Sequence, residues 1–134
     1  MRAIVSADHF NVLHYQTMVH YNVWFALKDG IEEASGLATV SRFLRGLCIG
    51  GEVSAFRLLK NTSNGARTKM PQYHAIVEFA DDVAMSRAMQ NQVTRGIHHG
   101  AHGEIVNIVR DFRVEIFELL APEASEAMQY ACEI

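Results

Sequence analysis

Apolar and polar side chains alternate along three segments of this chain, and this two-residue period limits its fold more than any other sequence feature. The segments are residues 19–28, 72–79 and 111–120. In the first, the large apolar residues Tyr21 and Val23 fall on the side opposite to Asn22. Such alternation is typical of strands that pack one face on a core. The pattern therefore predicts an antiparallel sheet with one covered face.

Two helical patterns separate the predicted strands. After the first strand, Asp29 offers an N-cap with Glu32 three residues later, and Gly46 offers a stop. After residue 79, Asp81 offers a second N-cap, and the sequence Arg95-Gly96 ends the second helical pattern. The apolar face of that second helix consists of Met85, Ala88, Met89 and Val93.

The order of elements predicts an α+β, ferredoxin-like βαββαβ fold. A further strand, residues 52–60, precedes a turn cluster at residues 61–65, and a short apolar helical segment, residues 105–109, precedes the last strand. Right-handed crossovers then place both main helices on one face of the sheet and make the first and third strands neighbours. We expect one such domain over residues 18–120, with an extension at residues 1–17 and a tail at residues 121–134.

Composition and spacing exclude several classes of protein. The formal net charge of -3 argues against a nucleic-acid partner. No apolar run reaches the length of a membrane helix, so no membrane partner is expected. Cys48 and Cys132 form neither a zinc motif nor a disulfide framework, which favours reduced thiols and a cytoplasmic location. Neither a phosphate-binding glycine loop nor a nucleophile-elbow motif occurs, and no cofactor is predicted.

The sheet face turned away from the helices is predicted to be an interaction surface. Alternation places these residues on that open face: His20, Asn22, Trp24, Arg57, His74, Ile76, Glu78, Arg113, Glu115 and Phe117. A monomer would expose Trp24, Ile76 and Phe117 together, and such patches mark sites of interaction. A second copy of the domain, a small ligand or single-stranded RNA could cover the face. RNA is disfavoured, because the third strand offers His74 and Ile76 where stacking aromatics are needed.

Two segments resemble a known family. The opening of the domain, Met18-Val19-His20-Tyr21-Asn22-Val23-Trp24-Phe25-Ala26-Leu27-Lys28-Asp29-Gly30, and the later His99-Gly100-Ala101-His102 are similar to stress-responsive dimeric α/β-barrel domains. The resemblance implies a ferredoxin-like fold and a homodimer whose sheets face each other. The wider superfamily includes cofactor-free monooxygenases, decarboxylases, isomerases, haem enzymes and members without known activity. Tyr21 stands where the family often has histidine, and Gly100 replaces its proline, so no catalytic role is carried over.

The open face carries the candidate chemistry. His20, His74 and Glu78 are candidate catalytic residues, because a histidine beside a carboxylate can act as a general base. Candidate ligand-binding residues on the same face are Asn22, Trp24, Arg57 and Arg113. The alternative interpretation is that all of these form the polar part of a dimer interface.

His98, His99 and His102, together with Glu104, form the densest group of potential metal ligands. His98 and His102 are four residues apart, a spacing compatible with a metal if both lie on one helix. Gly100 and Gly103 interrupt the segment and argue against a regular helix there. Capping or loop histidines are the competing interpretation, and no metal is predicted.

Three functional hypotheses follow from the sequence. The first is a homodimeric α/β-barrel protein of unassigned role that holds a small organic molecule between sheet and helices or at the barrel mouth. The second is a cofactor-independent monooxygenase, isomerase or decarboxylase acting on a small aromatic or polyketide-like substrate. The third is a structural or partner-binding module without catalysis.

Overall fold

The computed structural model describes residues 18–63, 69–96 and 98–120 of the 134-residue chain. Its elements are β1 (Val19–Leu27), α1 (Glu33–Ile49), β2 (Ala55–Lys60), β3 (Tyr73–Phe79), α2 (Asp82–Arg95), α3 (Gly100–Ile108) and β4 (Val109–Glu118). This order confirms the predicted α+β arrangement. The predicted extension at residues 1–17, the tail at residues 121–134 and part of the turn at residues 61–65 lie outside the described residues.

The four strands form one antiparallel sheet in the order β2-β3-β1-β4. The first and third strands are neighbours, as predicted, and His20 pairs with Glu78 across them while Trp24 pairs with His74. On the other side of β1, His20 pairs with Phe117 of β4. Because paired residues share a face, this register fixes which side chains meet on the open face.

The core lies between the sheet and the helices. Its buried members are Val19, Phe25, Tyr73, Ala75, Val77 and Phe79 of the sheet, Val40 and Leu44 of α1, Val53, Ala88 of α2 and Ile105 of α3. Phe56 and Leu58 of β2 pack against this cluster, which leaves Arg57 between them on the open face. Removal of this apolar surface from water is the main stabilising term for the domain.

Helix α1 begins later than the sequence pattern indicated, and the assignment of Asp29 as its N-cap is wrong. Gly30 adopts a left-handed φ of 87° and turns the chain between strand and helix. The cap is instead Glu32, whose carboxylate accepts hydrogen bonds from the backbone N–H of Ser35 (3.1 Å) and of Ala34 (3.4 Å). The residue expected at the third position of a capping box therefore caps the helix itself.

The same helix also runs past its predicted stop. Gly46 lies inside α1, which continues to Ile49. The helix ends where the N–H of Gly50 bonds to the carbonyl of Gly46 (2.9 Å) and Gly51 turns the chain with a φ of 79°. A glycine in a helix interior is tolerated at a cost in stability, so it does not by itself end the helix.

The second helix follows the predicted pattern, whereas the expectation that Gly100 and Gly103 argue against a regular helix is wrong. Asp81 caps α2, its carboxylate accepting from the N–H of Ala84 at 2.8 Å. Helix α3 begins at Gly100, five residues before the predicted apolar segment, and contains Gly103. A Cβ at Gly103 would lie 2.5 Å from the carbonyl oxygen of His98, so this close approach requires glycine. None of the helices in the described ranges is long and apolar enough to cross a membrane.

Candidate functional site

A connected polar group lies at the centre of the open face. The rings of Trp24 and His74 stack with their centroids 4.3 Å apart and an interplanar angle of 16°. Nε2 of His74 lies 2.8 Å from Oδ1 of Asn22, which can only accept, so this ring nitrogen donates. Asn22 is 7% exposed and donates in turn to the carbonyl of His20 at 3.2 Å. Burial lowers the pKa of His74 and favours its neutral form.

A second pair lies beside this group. Nε2 of His20 is 3.6 Å from Oε2 of Glu78, its cross-strand partner, and both side chains are partly exposed. The distance exceeds that of a hydrogen bond, so the contact is an ion pair when His20 is protonated. The structure thus brings the three candidate catalytic residues onto one face in two pairs, His20 with Glu78 and His74 with Asn22. Their catalytic role stays a prediction.

The two candidate arginines lie at opposite sides of the open face. Arg57 of β2 is exposed and pairs with Ile76. Arg113 of β4 pairs with Trp24, and its guanidinium lies 3.5 Å from Sδ of Met70, a weak acceptor. Arg113 also lines a polar cleft of about 410 Å³ at the end of the sheet, whose other lining residues are Ala26, Lys69, Met70, Pro71, Gln72, Arg110, Asp111 and Phe112.

Apolar side chains surround the polar group, as alternation predicted. Trp24 and Ile76 are half-buried, and Phe117 is 56% exposed. Leu59, opposite His74 on β2, adds a further exposed apolar side chain that the sequence analysis did not assign to this surface. The helices do not cover these residues, because they lie on the face of the sheet away from the core. The open face therefore combines an exposed apolar surface with partnered polar groups.

A cavity of about 300 Å³ lies on the other side of the sheet, between the strands and the helices. Its lining residues are Tyr21, Val23, Phe25, Val40, Phe43, Leu44, Leu47, Ala75, Val77, Phe79, Ala88, Met89, Gln92, Val93, His102, Ile105, Val109 and Phe112. Almost all of these present hydrocarbon. Val93 and Phe112 are both more than half exposed and mark where the cavity meets solvent. The small side chains of Ala75 and Ala88 leave the space that a larger residue would fill.

Three polar side chains interrupt this hydrocarbon wall. Burial raises the pKa of Tyr21, which keeps its phenol neutral. Nε2 of Gln92 is buried and has no hydrogen-bond partner in the part of the chain that the structure describes. The His102 ring packs edge-on against Phe43, with centroids 5.6 Å apart. Neither Tyr21 nor Gln92 was predicted to belong to a site, since each occurs within an ordinary amphipathic pattern.

The two metal candidates are separated by the start of a helix. His98 precedes α3, whereas His102 lies within it and contributes to the cavity wall. Across the described ranges, no three histidine, cysteine, aspartate or glutamate side chains group together as a metal site would require. His102 is therefore best described as part of the cavity.

The fold is that of ferredoxin-like α/β proteins, and solved structures share it. A stress-responsive (DABB) family protein from Mesorhizobium loti, described as ferredoxin-like, is 24% identical with a TM-score of 0.54, covering 79% of this chain and 100% of that one. A dimeric ferredoxin-like protein of unknown function from Jannaschia sp. is 16% identical, with a TM-score of 0.52 and coverage of 78% and 99%. A hydroxynitrile lyase from Passiflora edulis is 8% identical, with a TM-score of 0.57 and coverage of 77% and 94%.

Sequence comparison assigns the chain to a family. Residues 18–131 match the family of unknown function DUF6614, so the protein belongs to that family. No curated protein matches the chain. The similarity to a stress-responsive barrel protein agrees with the resemblance seen in the sequence, and at these identities the solved structures establish the fold alone.

Proposed function

We propose that this protein is a homodimer whose sheets face each other, and that each protomer binds a small, largely apolar organic molecule between its sheet and its helices. The observation that carries the proposal is the cavity of about 300 Å³ with a hydrocarbon wall. The role corresponds to the first of the three hypotheses drawn from the sequence.

The size and chemistry of the cavity support a ligand. Protein interiors are packed nearly as densely as organic crystals, so a space of this size is unusual in a small domain. Water fills it poorly, because each buried water needs two to four polar partners and this wall offers few. Small-molecule sites typically have volumes from about 300 Å³ upward, with mostly apolar walls and a few polar groups. An apolar ligand would restore the missing van der Waals contacts.

The open face supports the dimer. Trp24, Ile76 and Phe117 form an apolar patch, while Asn22 and His74 satisfy each other within the sheet. A second copy could cover this patch, with Arg57 and Arg113 at its rim. The structurally similar Jannaschia protein is described as dimeric, which agrees with this arrangement. The proposal thereby assigns the candidate ligand-binding residues of the open face to the dimer interface, namely Asn22, Trp24, Arg57 and Arg113.

Binding is proposed in preference to catalysis because of where the acid–base candidates lie. His20, His74 and Glu78 are on the face of the sheet away from the cavity, so they do not reach a molecule bound there. The fold is compatible with catalysis in another protein, the Passiflora hydroxynitrile lyase. We also propose a cytoplasmic location, since Cys48 is a free thiol and reduced thiols are typical of that compartment.

Filling the cavity tests the proposal. Ala88 is buried in the cavity wall, so Ala88→Leu should occupy part of the space. The matched control is Ala38→Leu, an exposed alanine of α1. The apolar fluorophore N-phenyl-1-naphthylamine should bind the wild type and Ala38→Leu saturably, and Ala88→Leu at least about tenfold more weakly. Circular dichroism checks that both variants fold. Absent binding to the wild type, or equal binding to both variants, would contradict the proposal.

A further inference from the structure

Gln92 occupies a position where the sequence pattern of α2 calls for an apolar residue. It follows Ala88 by one helical turn and adjoins Val93, both of which line the cavity. The backbone at Gln92 takes part in the end of the helix, since its carbonyl accepts a hydrogen bond from the N–H of Gly96 at 3.0 Å. Gln92 is itself among the residues that line the cavity, and its amide nitrogen is buried.

The Gln92 amide lacks a partner for its nitrogen. Nε2 is inaccessible to solvent and makes no hydrogen bond to any residue that the structure describes. The great majority of buried polar side-chain atoms are hydrogen-bonded, because burial without a partner destabilises the folded state. A leucine or methionine at this position would avoid that cost and fill the same volume. The unpaired donor is therefore available to a partner that is not among the described residues.

We propose that the molecule bound in the cavity carries a hydrogen-bond acceptor oxygen, and that Gln92 recognises this oxygen through Nε2. This inference rests on the proposed binding function and specifies the class of ligand: an apolar body with one carbonyl-type oxygen, such as a small ketone or aldehyde. Gln92 is then a specificity-determining residue. It favours the oxygen-bearing ligand over a hydrocarbon of the same shape, which binds more weakly because it leaves the amide unpaired.

The remaining wall fits such a ligand. Val40, Leu44 and Val77 supply hydrocarbon contacts for the apolar body. Tyr21, from the sheet side, adds a neutral phenol that can also donate a hydrogen bond. A carboxylate ligand is disfavoured, because neither Lys nor Arg is among the residues that line this cavity.

Two small probes that differ by one oxygen test the inference. Acetophenone and ethylbenzene have nearly the same shape, and both should displace N-phenyl-1-naphthylamine from the wild type. Gln92→Leu should weaken acetophenone about five- to tenfold, as expected for the loss of one hydrogen bond, and should leave ethylbenzene unchanged or tighter. Gln90→Leu is the matched control on the exposed side of the same helix and should alter neither affinity.

The ligand-free variants give an independent readout. If Nε2 is unpaired in the wild type, Gln92→Leu should raise the midpoint of thermal unfolding relative to Gln90→Leu. Equal effects of Gln92→Leu on the two probes would overturn the inference while leaving ligand binding intact. Failure of the fluorophore and both probes to bind the wild type would instead overturn the proposed function.

Discussion

Burial shifts the pKa values of two neighbouring aromatic residues of β3, Tyr73 and His74. The hydroxyl of Tyr73 donates to Glu33 of α1 at 2.6 Å. Burial and this bond raise the pKa of Tyr73 to about 12. The resulting stabilisation is complete below the usual tyrosine pKa of 10.0 and is lost as the pH rises from there toward 12. Burial has the opposite effect on His74, whose pKa it lowers from the usual 6.5 because the charged form of an imidazole is the protonated one.

The lowered pKa of His74 predicts loss of stability in mild acid. The unfolded chain binds a proton near pH 6.5 and the folded chain only at lower pH, so stability is complete above 6.5 and decreases as pH falls toward the folded pKa. In urea unfolding at pH 8 and pH 5, the free energy of unfolding should fall more for the wild type than for His74→Gln. Equal decreases in the two proteins would show that His74 does not contribute to this dependence.

The faces of the strands and both ends of α2 were predictable from the sequence, whereas the ends of α1 and the cavity were not. The pleat fixes alternation at two residues, so Trp24 and Phe117 could be assigned to the open face without coordinates. The start of α1 depended on a choice between Asp29 and Glu32 that the turn at Gly30 decides. The volume of the cavity depends on the distance between the helices and the sheet at Ala75. Gln92 could be assigned to the cavity wall only after its neighbours in the structure were known. Neither the cavity volume nor the surroundings of Gln92 can be predicted from a local sequence pattern.

At the scale of the element, two of the glycines inside helices, Gly46 and Gly103, have opposite roles. Gly46 is exposed on α1, and a Cβ there would meet nothing within 4 Å. Gly103 of α3 is buried against the carbonyl of His98, where a Cβ would lie 2.5 Å from oxygen. Gly46 therefore only lowers the helix propensity of α1, whereas Gly103 permits close packing of α3 against the backbone of His98.

This contrast predicts effects of opposite sign for the same substitution. Gly46→Ala should stabilise the protein by about 0.5–1 kcal/mol, the difference in helix propensity between the two residues. Gly103→Ala should destabilise it by roughly 1–3 kcal/mol, because a backbone contact must move apart. Chemical denaturation of both variants measures the two changes. A destabilised Gly46→Ala would mean that the end of α1 requires glycine at this position.

At the scale of the whole molecule, the sheet separates two surfaces with different proposed tasks. The helix side contains the cavity, and the open side contains the apolar patch of Trp24, Ile76 and Phe117. The edge strand β4 is exposed along most of its length, so it presents side chains on both sides. Ile116 points to the helix side and is 51% exposed, whereas its neighbour Phe117 points to the open side and is 56% exposed.

These neighbours provide a matched test of the dimer. Phe117→Arg would bury an unpaired charge if the open faces pack together, and it should weaken dimerisation at least about tenfold. Ile116→Arg places the same charge one residue away, on the opposite side of the same strand and at similar exposure, and should leave the dimer intact. Sedimentation equilibrium of the wild type and both variants distinguishes the two sides. Dissociation by Ile116→Arg alone would place the interface on the helix side of β4, and a monomeric wild type would leave the open face without its proposed partner.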